Sequence, residues 1–309
     1  MVTIIMAVYN GEQYIREQLE SIKGQTYRDW KLIIRDDGST DRTVDVIQAF
    51  RQETEQEVIL YENKSSSGSA KENFFRLLKD ADDSYIMFCD QDDIWKKDKI
   101  LHTLQYMQQL ETDASLPVLV HSDLTVIDEN GTVKADSFFA YQNLSKTMEL
   151  SHLLVQNTVT GCTMMINRSL RNHMLEAISH EKIIMHDYWA ALYAAVYGKV
   201  GFLSECTMYY RQHAHNSVGA KASNSITRLW GRLLEGRNSY KNSMSESFEQ
   251  IAYLLECTKQ MKTTPAKREL LEGYAALKTK GKWNRMRFYY KNKTLKHGTV
   301  RVLIQYLWG

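Results

Sequence analysis

Short apolar runs alternate with segments of helical spacing over the first 90 residues of the chain. Apolar runs at residues 3–8, 30–35, 58–61 and 85–89 predict four strands, and apolar positions recur at helical spacing between them. A continuous apolar strand such as 3–8 is typical of a parallel sheet that is covered on both faces. Asn10 is placed to cap the first helix. The order βαβαβαβ therefore predicts an open α/β sheet with helices on both faces.

The pattern changes after residue 118. Four further strands are predicted, at residues 118–121, 125–127, 162–166 and 207–211. An amphipathic helix is predicted at 186–197. Beyond residue 220 only helices are expected, near residues 224–236, 246–262 and 266–279, and a basic, aromatic tail follows them. We therefore expect an α/β catalytic domain over residues 1–217 and a basic helical region over residues 218–309.

The charge is divided unevenly along the chain. The net charge is only +2, but residues 1–217 carry 21 Lys and Arg against 31 Asp and Glu, whereas residues 218–309 carry 18 against 6. This division indicates two parts with different surroundings and a C-terminal region that meets something anionic.

The composition is that of a soluble globular protein, with 43% apolar and 25% charged residues. No run of about 18 apolar residues is present, so we expect no membrane span. The apolar start is short and has no basic residues before it, so we expect no secretory signal. The four cysteines are scattered without a CxxC pair and are interpreted as core residues of a reducing compartment. We expect a cytoplasmic protein.

Carboxylates cluster where two of the predicted strands end. Asp36 and Asp37 follow the second strand, and Asp90, Asp92 and Asp93 follow the fourth. One such cluster could simply cap a helix. Two clusters at the edge where open α/β sheets bind their ligands favour a bound cation, because packed carboxylates repel one another. Hard oxygen ligands beside room for phosphates suit Mg²⁺ or Mn²⁺.

Five segments follow one another in an order known from one enzyme family. They are YN at 9–10, DDGSTD at 36–41, CDQDDIW at 89–95, HDYW at 186–189 and YRQH at 210–213. This series resembles the family-two inverting glycosyltransferases of the GT-A fold, and most closely the bacterial rhamnosyltransferase-like branch. The resemblance covers roughly residues 2–217 and implies a Rossmann-like mixed sheet with helices on both faces.

The resemblance implies which residues bind the nucleotide and the donor sugar. They are Ala7, Val8, Tyr9, Asp37, Lys71, Asp90, Asp93 and Trp95. The first three would form the wall that receives the nucleobase, and Asp37 would accept its N3–H. Lys71 would reach the nucleotide, and Asp90 would lie near the ribose. Asp93 and Trp95 would shape the sugar pocket.

The resemblance also implies a metal site and a catalytic base. Asp92 and His213 would hold the divalent cation, which stabilises the charge that grows on the departing diphosphate. Asp187 would take the proton of the acceptor hydroxyl, as inverting chemistry requires. Alternatively, Asp187 is an ordinary aspartate at a helix N-terminus, and His213 is a surface histidine close to His215.

A further group is implied for the loop beneath the acceptor and the donor sugar. Its members are Thr160, Gly161, Cys162, His186 and Trp189. The alternative for the glycine is a bend that leads into a strand.

The tail at residues 278–301 contains nine Lys and Arg residues, interleaved aromatic residues and no acidic residue. This mixture fits an anionic membrane surface at the inner face of the plasma membrane. We expect no nucleic-acid partner, because the front domain has no matching basic face. The alternative is a helical appendage that packs on the acidic catalytic domain or forms a homo-oligomer.

These observations predict an enzyme that moves a sugar from a nucleoside-diphosphate donor to a glycan or lipid-linked glycan. The branch resemblance favours dTDP-L-rhamnose as donor, for a cell-surface polysaccharide, and a UDP-hexose is the alternative. A sugar-phosphate nucleotidyltransferase would want a basic, Gly-rich loop after the first strand, which residues 9–12 are not. A non-catalytic binding module would not need Asp187 beside an intact DxD.

Overall fold

The structure is a computed structural model that describes residues 1–63, 68–213 and 226–309, with the backbone alone for 226–235. The described strands are β1 Val2–Val8, β2 Trp30–Asp36, β3 Val58–Glu62, β4 Tyr85–Cys89, β5 Ile94–Trp95, β6 Val118–Asp128, β7 Val133–Ala135, β8 Met165–Asn167 and β9 Lys199–Gln212. The described helices are α1 Ile15–Lys23, α2 Thr43–Glu53, α3 Ala70–Asp80, α4 Lys99–Leu110, α5 Phe138–Gln142, α6 Leu150–Leu153, α7 Arg168–Leu175, α8 His186–Tyr197, α9 Ile226–Cys257, α10 Pro265–Ala275, α11 Lys282–Lys291 and α12 Thr299–Trp308.

The described strands form one mixed sheet with the order β3-β2-β1-β4-β8-β6-β9-β5, and β7 pairs with β6. The first four strands in this order are parallel. β8 runs antiparallel to β4 and β6, and β9 runs parallel to β6. Because β1, β2 and β4 are parallel, their carboxyl ends lie together at one edge of the sheet.

Both faces of the sheet are buried under helices, which explains why β1 is apolar along its length. Ile5 packs into a core with residues of α3, α7 and α8. Its neighbours Ile4 and Met6 point to the other face, into a core with residues of α1, α2 and α4. The predicted mixed α/β sheet with helices on both faces is therefore confirmed.

The strands predicted at 118–121 and 125–127 are one strand, β6, and the strand predicted at 207–211 begins at Lys199. Polar residues interrupt the apolar pattern at Ser122 and Asp123, yet both are buried and stay in the ladder to β9. The register shifts at this point, so polar side chains with local partners fit without ending the strand. Ser137 Oγ donates to Asp123 Oδ2 over 2.5 Å.

Asn10 does not cap α1, which begins at Ile15 with Tyr14 before it. Asn10 has a left-handed backbone with φ of 46°, and its Oδ1 accepts from the N–H of Thr40 at 2.8 Å. It joins the loop after β1 to the turn after β2. The strand predicted from residue 162 starts at Met165, because residues 161–163 form a 3₁₀ turn.

The helices predicted near 224–236 and 246–262 are one long helix, α9, in which no described residue breaks the helical pattern. Residues 224–225 and His215 lie outside the described part of the chain. The tail is helical too, in α11 and α12. Within the described ranges, none of the helices combines the length and the apolar content that crossing a bilayer requires.

Candidate active site

The loops after β1 and β4 are joined by one side chain. Gln91 Oε1 accepts from the N–H of Tyr9 at 2.8 Å, and Gln91 Nε2 donates to the carbonyl of Tyr9 at 3.0 Å. A Cβ on Gly11 would stand 2.6 Å from Gln91 Oε1, so a side chain there would displace the amide. Gln91 thus places the DxD segment against the loop that would receive a nucleobase.

The two aspartates after β2 have different surroundings. Asp36 accepts from the N–H groups of Gly38 and Ser39, both at 3.0 Å, so its carboxylate shapes the turn. Asp37 accepts from the N–H of Gly68 at 3.1 Å and from Asn63 Nδ2 at 3.4 Å. Asp37 is therefore the one that bridges the loops after β2 and β3. Its contact with a nucleobase stays a prediction.

The predicted nucleobase wall is built unevenly. Tyr9 is half exposed at the end of β1, where its ring can offer a stacking face. Ala7 is half-buried. Val8 is 2% exposed and packs into the core under α1, so only its backbone could touch a base.

Lys71 points to a different partner from the one predicted for it. Its Nζ donates to the carbonyls of His180 at 2.7 Å and Ile183 at 2.5 Å. In this structure Lys71 therefore ties α3 to the segment that precedes Asp187. A contact with the nucleotide would need these bonds to be exchanged, and it stays a prediction.

Arg211 and His213 bring the end of β9 to the acidic cluster. His213 Nε2 lies 2.7 Å from Asp92 Oδ2. Arg211 is 3% exposed, and its N–H donates to Asp93 Oδ1 at 3.1 Å while its Nε donates to the carbonyl of Asp92 at 3.0 Å. Tyr14 stacks on both, with 4.9 Å between its ring centroid and that of His213, and 4.8 Å to the guanidinium carbon of Arg211.

Arg211 and Tyr14 were not singled out from the sequence. Arg211 stands inside the YRQH segment that carried the family resemblance, so that segment was the available signal. Tyr14 is one of 18 tyrosines, and its place between a guanidinium and an imidazole depends on β9 returning to α1.

The cluster of carboxylates fits a divalent cation. Burial, together with the negative charges of Asp92 and Asp187, raises the pKa of Asp90 to about 7. Burial also holds the pKa of Asp93 well above its ordinary value. A cation would relieve this repulsion, and carboxylate oxygens with one imidazole are ligands that Mn²⁺ accepts. Asp92 and His213, already in contact, could hold it, and their role as ligands stays a prediction.

Cys162 lies beside the carboxylates, but its thiol is a poor ligand for a hard cation. Its sulfur and one carboxylate oxygen each of Asp90 and Asp93 lie within 4.8 Å of one another. Burial raises the pKa of the thiol well above its usual value, so it stays protonated. A neutral thiol is a poor ligand for a hard cation. Cys162 is 1% exposed and packs beneath the carboxylates.

The ring of Trp95 contacts the buried Lys99. The Nζ of Lys99 lies 4.9 Å from the Trp95 ring centroid and donates to Thr207 Oγ1 at 3.2 Å. Burial lowers the pKa of Lys99 to about 8. Trp95 is itself only 3% exposed, so little of its ring is open to a ligand. Its place in the sugar pocket stays a prediction.

Asp187 lies in the first turn of α8. The N–H of Tyr188 donates to its Oδ1 at 2.5 Å, and burial raises its pKa to about 6. The negative charge of Asp187 contributes to the raised pKa of Asp90, so the two carboxylates lie close enough to interact. Gly161 approaches closely here, since a Cβ on it would meet His186 Nε2 at 2.9 Å and Asp187 Cβ at 3.7 Å.

Two other residues predicted for the acceptor loop are buried. Trp189 is fully buried and stacks on Tyr253, with 5.6 Å between their centroids, so its ring is not open to an acceptor in this structure. The assignment of Trp189 to the loop stays a prediction, although α8 turns this position into the core. His186 is buried against Phe74, and burial lowers its pKa to about 3. Thr160 is half-buried at the start of the loop.

Comparisons with known proteins identify the family and the fold. The sequence model of "Glycosyl transferase family 2" matches residues 3–175. The dTDP-rhamnosyl transferase RfbG of Shigella flexneri is 30% identical over 235 residues, which are 71% of this chain and 75% of RfbG.

Two solved structures share the fold. One is TarS 1–349 of S. aureus in complex with UDP-GlcNAc, with a TM-score of 0.58 and 16% identity over 90% of this chain and 72% of that one. The other is the mannosyltransferase PcManGT of Pyrobaculum calidifontis in complex with GDP-Man and Mn²⁺, with a TM-score of 0.55 and 15% identity over 94% and 73%. The chain belongs to glycosyl transferase family 2 and has the GT-A fold.

Proposed function

We propose that this glycosyltransferase is an inverting enzyme that uses Asp187 as its base and a divalent cation at Asp92 and His213. The observation that carries the proposal is that Asp187 and the carboxylates after β4 share one site. Asp187 comes from α8, and the DxD residues come from the loop after β4. A donor held at the DxD would therefore present its sugar towards Asp187.

The chain's own residues divide the work of the reaction. Asp187 accepts the proton of the acceptor hydroxyl as that oxygen attacks the anomeric carbon. The bond to the diphosphate breaks on the opposite face, which inverts the configuration. A cation bound at Asp92 and His213 supplies positive charge beside the departing diphosphate. The N–H of Tyr188 orients the Asp187 carboxylate through its hydrogen bond to Oδ1.

The donor that the comparisons favour is dTDP-L-rhamnose, through the likeness to RfbG. A UDP-sugar is the second candidate, because the TarS structure that shares this fold contains UDP-GlcNAc. We propose a hydroxyl of a lipid-linked or growing cell-surface polysaccharide as the acceptor.

A panel of nucleotide sugars tests this function. Donor hydrolysis should be fastest with dTDP-L-rhamnose, should stop on chelation and should return with Mn²⁺ or Mg²⁺. Asp92→Ala should lose turnover and, by electron paramagnetic resonance, should bind Mn²⁺ more weakly than the parent protein. A UDP-hexose preference would replace the donor and keep the reaction, whereas full activity in the chelated enzyme would remove the metal from the proposal.

A further inference from the structure

The basic tail divides into residues that hold the protein together and residues that face outward. The contacts within the molecule include Lys278 with Glu249 Oε1 at 3.0 Å at the surface and Arg301 with the carbonyls of Asn143 and Gln142 at 2.8 and 2.7 Å. The half-buried Lys296 lies 4.7 Å from the ring centroid of Tyr240. These charges serve packing, which accounts for part of the basic composition of the tail.

A second group of basic residues has no side-chain partner among the residues that the structure describes. These residues are exposed, and they are Lys280, Arg287, Lys291 and Lys293. No acidic residue stands anywhere between residues 278 and 309. The exposed charges of residues 278–309 are therefore all positive.

Two large aromatic side chains lie beside these charges on α11. Trp283 is 80% exposed and Tyr290 is 78% exposed. Position 287 lies four residues from 283, three from 290 and four from 291, so these positions share one face of the helix. The face thus alternates indole, guanidinium, phenol and ammonium, while the opposite side of α11 carries the fully buried Tyr289.

α12 carries an exposed aliphatic stripe of its own. Val300, Leu303 and Leu307 are 42%, 56% and 47% exposed, and their spacing of three and four residues places them on one side of the helix. Lys282 Nζ donates to the carbonyl of Leu307 at 3.0 Å, so the start of α11 touches the end of α12. We define the tail surface as the exposed residues Trp283, Arg287, Tyr290 and Lys291 of α11 and Val300, Leu303 and Leu307 of α12.

We propose that the tail surface docks on an anionic lipid membrane. Exposed aliphatic side chains gain by leaving water, and Trp and Tyr are suited to the boundary between headgroups and acyl chains. Arg287 and Lys291 stand beside them and attract the anionic headgroups. A protein partner would need negative charges along the whole length of this positive surface. An anionic membrane offers negative charge at every point. The docking goes beyond the proposed transfer reaction and does not depend on its donor.

Vesicle flotation with the full chain tests the proposal. The probe is vesicles of phosphatidylcholine with a minority of phosphatidylglycerol, compared with phosphatidylcholine alone. The parent protein should float with the anionic vesicles only, and rising salt should return it to the dense fraction. Arg287→Glu with Lys291→Glu should lower the partition coefficient at least tenfold, and Trp283→Ser with Tyr290→Ser should lower it severalfold at low salt.

Matched variants elsewhere on the surface separate docking from general charge and hydrophobicity. Arg51→Glu with Lys79→Glu makes the same change of charge at exposed positions on α2 and α3, and Ile178→Ser removes a 92% exposed apolar side chain. Both should float as the parent protein does. All variants change exposed residues, so melting temperature and donor hydrolysis should match those of the parent protein.

Two results would overturn the proposal. One is a parent protein that stays in the dense fraction with anionic vesicles at low salt. The other is equal flotation of the Arg287→Glu, Lys291→Glu protein and its Arg51→Glu, Lys79→Glu control. If the parent protein is instead a dimer that Trp283→Ser with Tyr290→Ser dissociates, and it does not float, the tail surface is an interface between copies of this chain.

Discussion

Asp187 occupies a position in which its environment and its chemistry agree. Burial raises its pKa to about 6, while hydrogen bonds from backbone N–H groups, including that of Tyr188, act in the opposite direction. A carboxylate with this pKa is ionised at neutral pH, yet it is a stronger base than an exposed aspartate. The same position in an ordinary helix would give only favourable interaction with the helix dipole.

We therefore expect Asp187→Asn to bind donor nucleotide and Mn²⁺ as the parent protein does, with transfer reduced by about 10²-fold or more. In the parent protein, kcat/KM should fall as the pH drops below about 6, because the base then carries a proton. Stopped assays measure the transfer rate and kcat/KM, and titrations measure nucleotide binding. Parental turnover in Asp187→Asn with an intact melting temperature would return Asp187 to a capping role.

Tyr14 is the side chain through which Arg211 supports His213. Its ring lies between the guanidinium and the imidazole, and Arg211 in turn bonds the backbone of Asp92. Tyr14→Leu should weaken Mn²⁺ binding by about fivefold, since a stacked ring pair contributes about 1 kcal/mol. Tyr14→Phe keeps the ring and should bind Mn²⁺ within about twofold of the parent protein.

Electron paramagnetic resonance of free Mn²⁺ measures this binding without turnover. Equal Mn²⁺ affinity in Tyr14→Leu and the parent protein would show that His213 is positioned without the ring. The contrast between Leu and Phe separates the stack from a general loss of stability.

Asp92 and Asp187 were predictable from sequence because each stands in a short segment of fixed order. Arg211 and Tyr14 were not, because their role arises from a contact between residues almost 200 positions apart. The burial of Trp189 was not predictable for a related reason. The HDYW segment does not indicate which way the side chain of Trp189 points. In α8 it points into the core.

At the scale of elements, β6 and β9 form the long parallel pair that carries the YRQH segment to the active site. Their alignment begins where Val118 pairs with Lys199, and the N–H of Lys199 donates to the carbonyl of Pro117 at 3.0 Å. The polar residues at 122 and 123 interrupt the apolar pattern, so the sequence predicted two strands where β6 is continuous. The parallel strands β1 and β4 were predictable because both their faces are buried and their residues are almost all apolar.

Gly198 fixes the start of this pair. A Cβ there would stand 1.7 Å from the carbonyl oxygen of Pro117, and backbone cannot yield as a flexible side chain can. Gly198→Ala should lower the free energy of unfolding by about 1–3 kcal/mol, because the pair must separate at its first residues. It should also lower activity, since β9 ends at Arg211 and His213.

Chemical denaturation measures the change, and Gly281→Ala is its control. A Cβ on Gly281 has no atom within 4 Å, so this variant should keep the parent stability to within about 0.5 kcal/mol. Equal stability of the two variants would mean that the β6–β9 junction relaxes without cost.

At the scale of the whole molecule, the C-terminal helices share a core with the catalytic part. Phe248 of α9 and Tyr274 of α10 are buried in the same cluster as Phe75 and Trp189. Lys267 also donates to the carbonyls of Ala195 and Val196 at 2.8 and 2.9 Å, where α8 ends. The change of charge near residue 217 predicted two parts with different surroundings. It did not predict how they pack, because net charge describes the surface and this contact is apolar.

The shared core makes a prediction about residues 1–217 on their own. Without α9 and α10, the outer side of α8, which includes the fully buried Trp189 and Tyr193, would face water. Burying a large aromatic side chain contributes about 1.5–3 kcal/mol, so losing several such contacts is comparable with the total stability of a domain. We expect residues 1–217 to aggregate or to stay partly unfolded, and to bind no nucleotide.

A milder change probes the same contact. Phe248→Ala in the full chain should lower the free energy of unfolding by about 3–5 kcal/mol, because of the cavity that it leaves. Hydrogen exchange in that variant should rise across α8 as strongly as across α9, in one cooperative transition. Increased exchange confined to α9–α12, or a folded 1–217 fragment that binds nucleotide, would show two independent folding units.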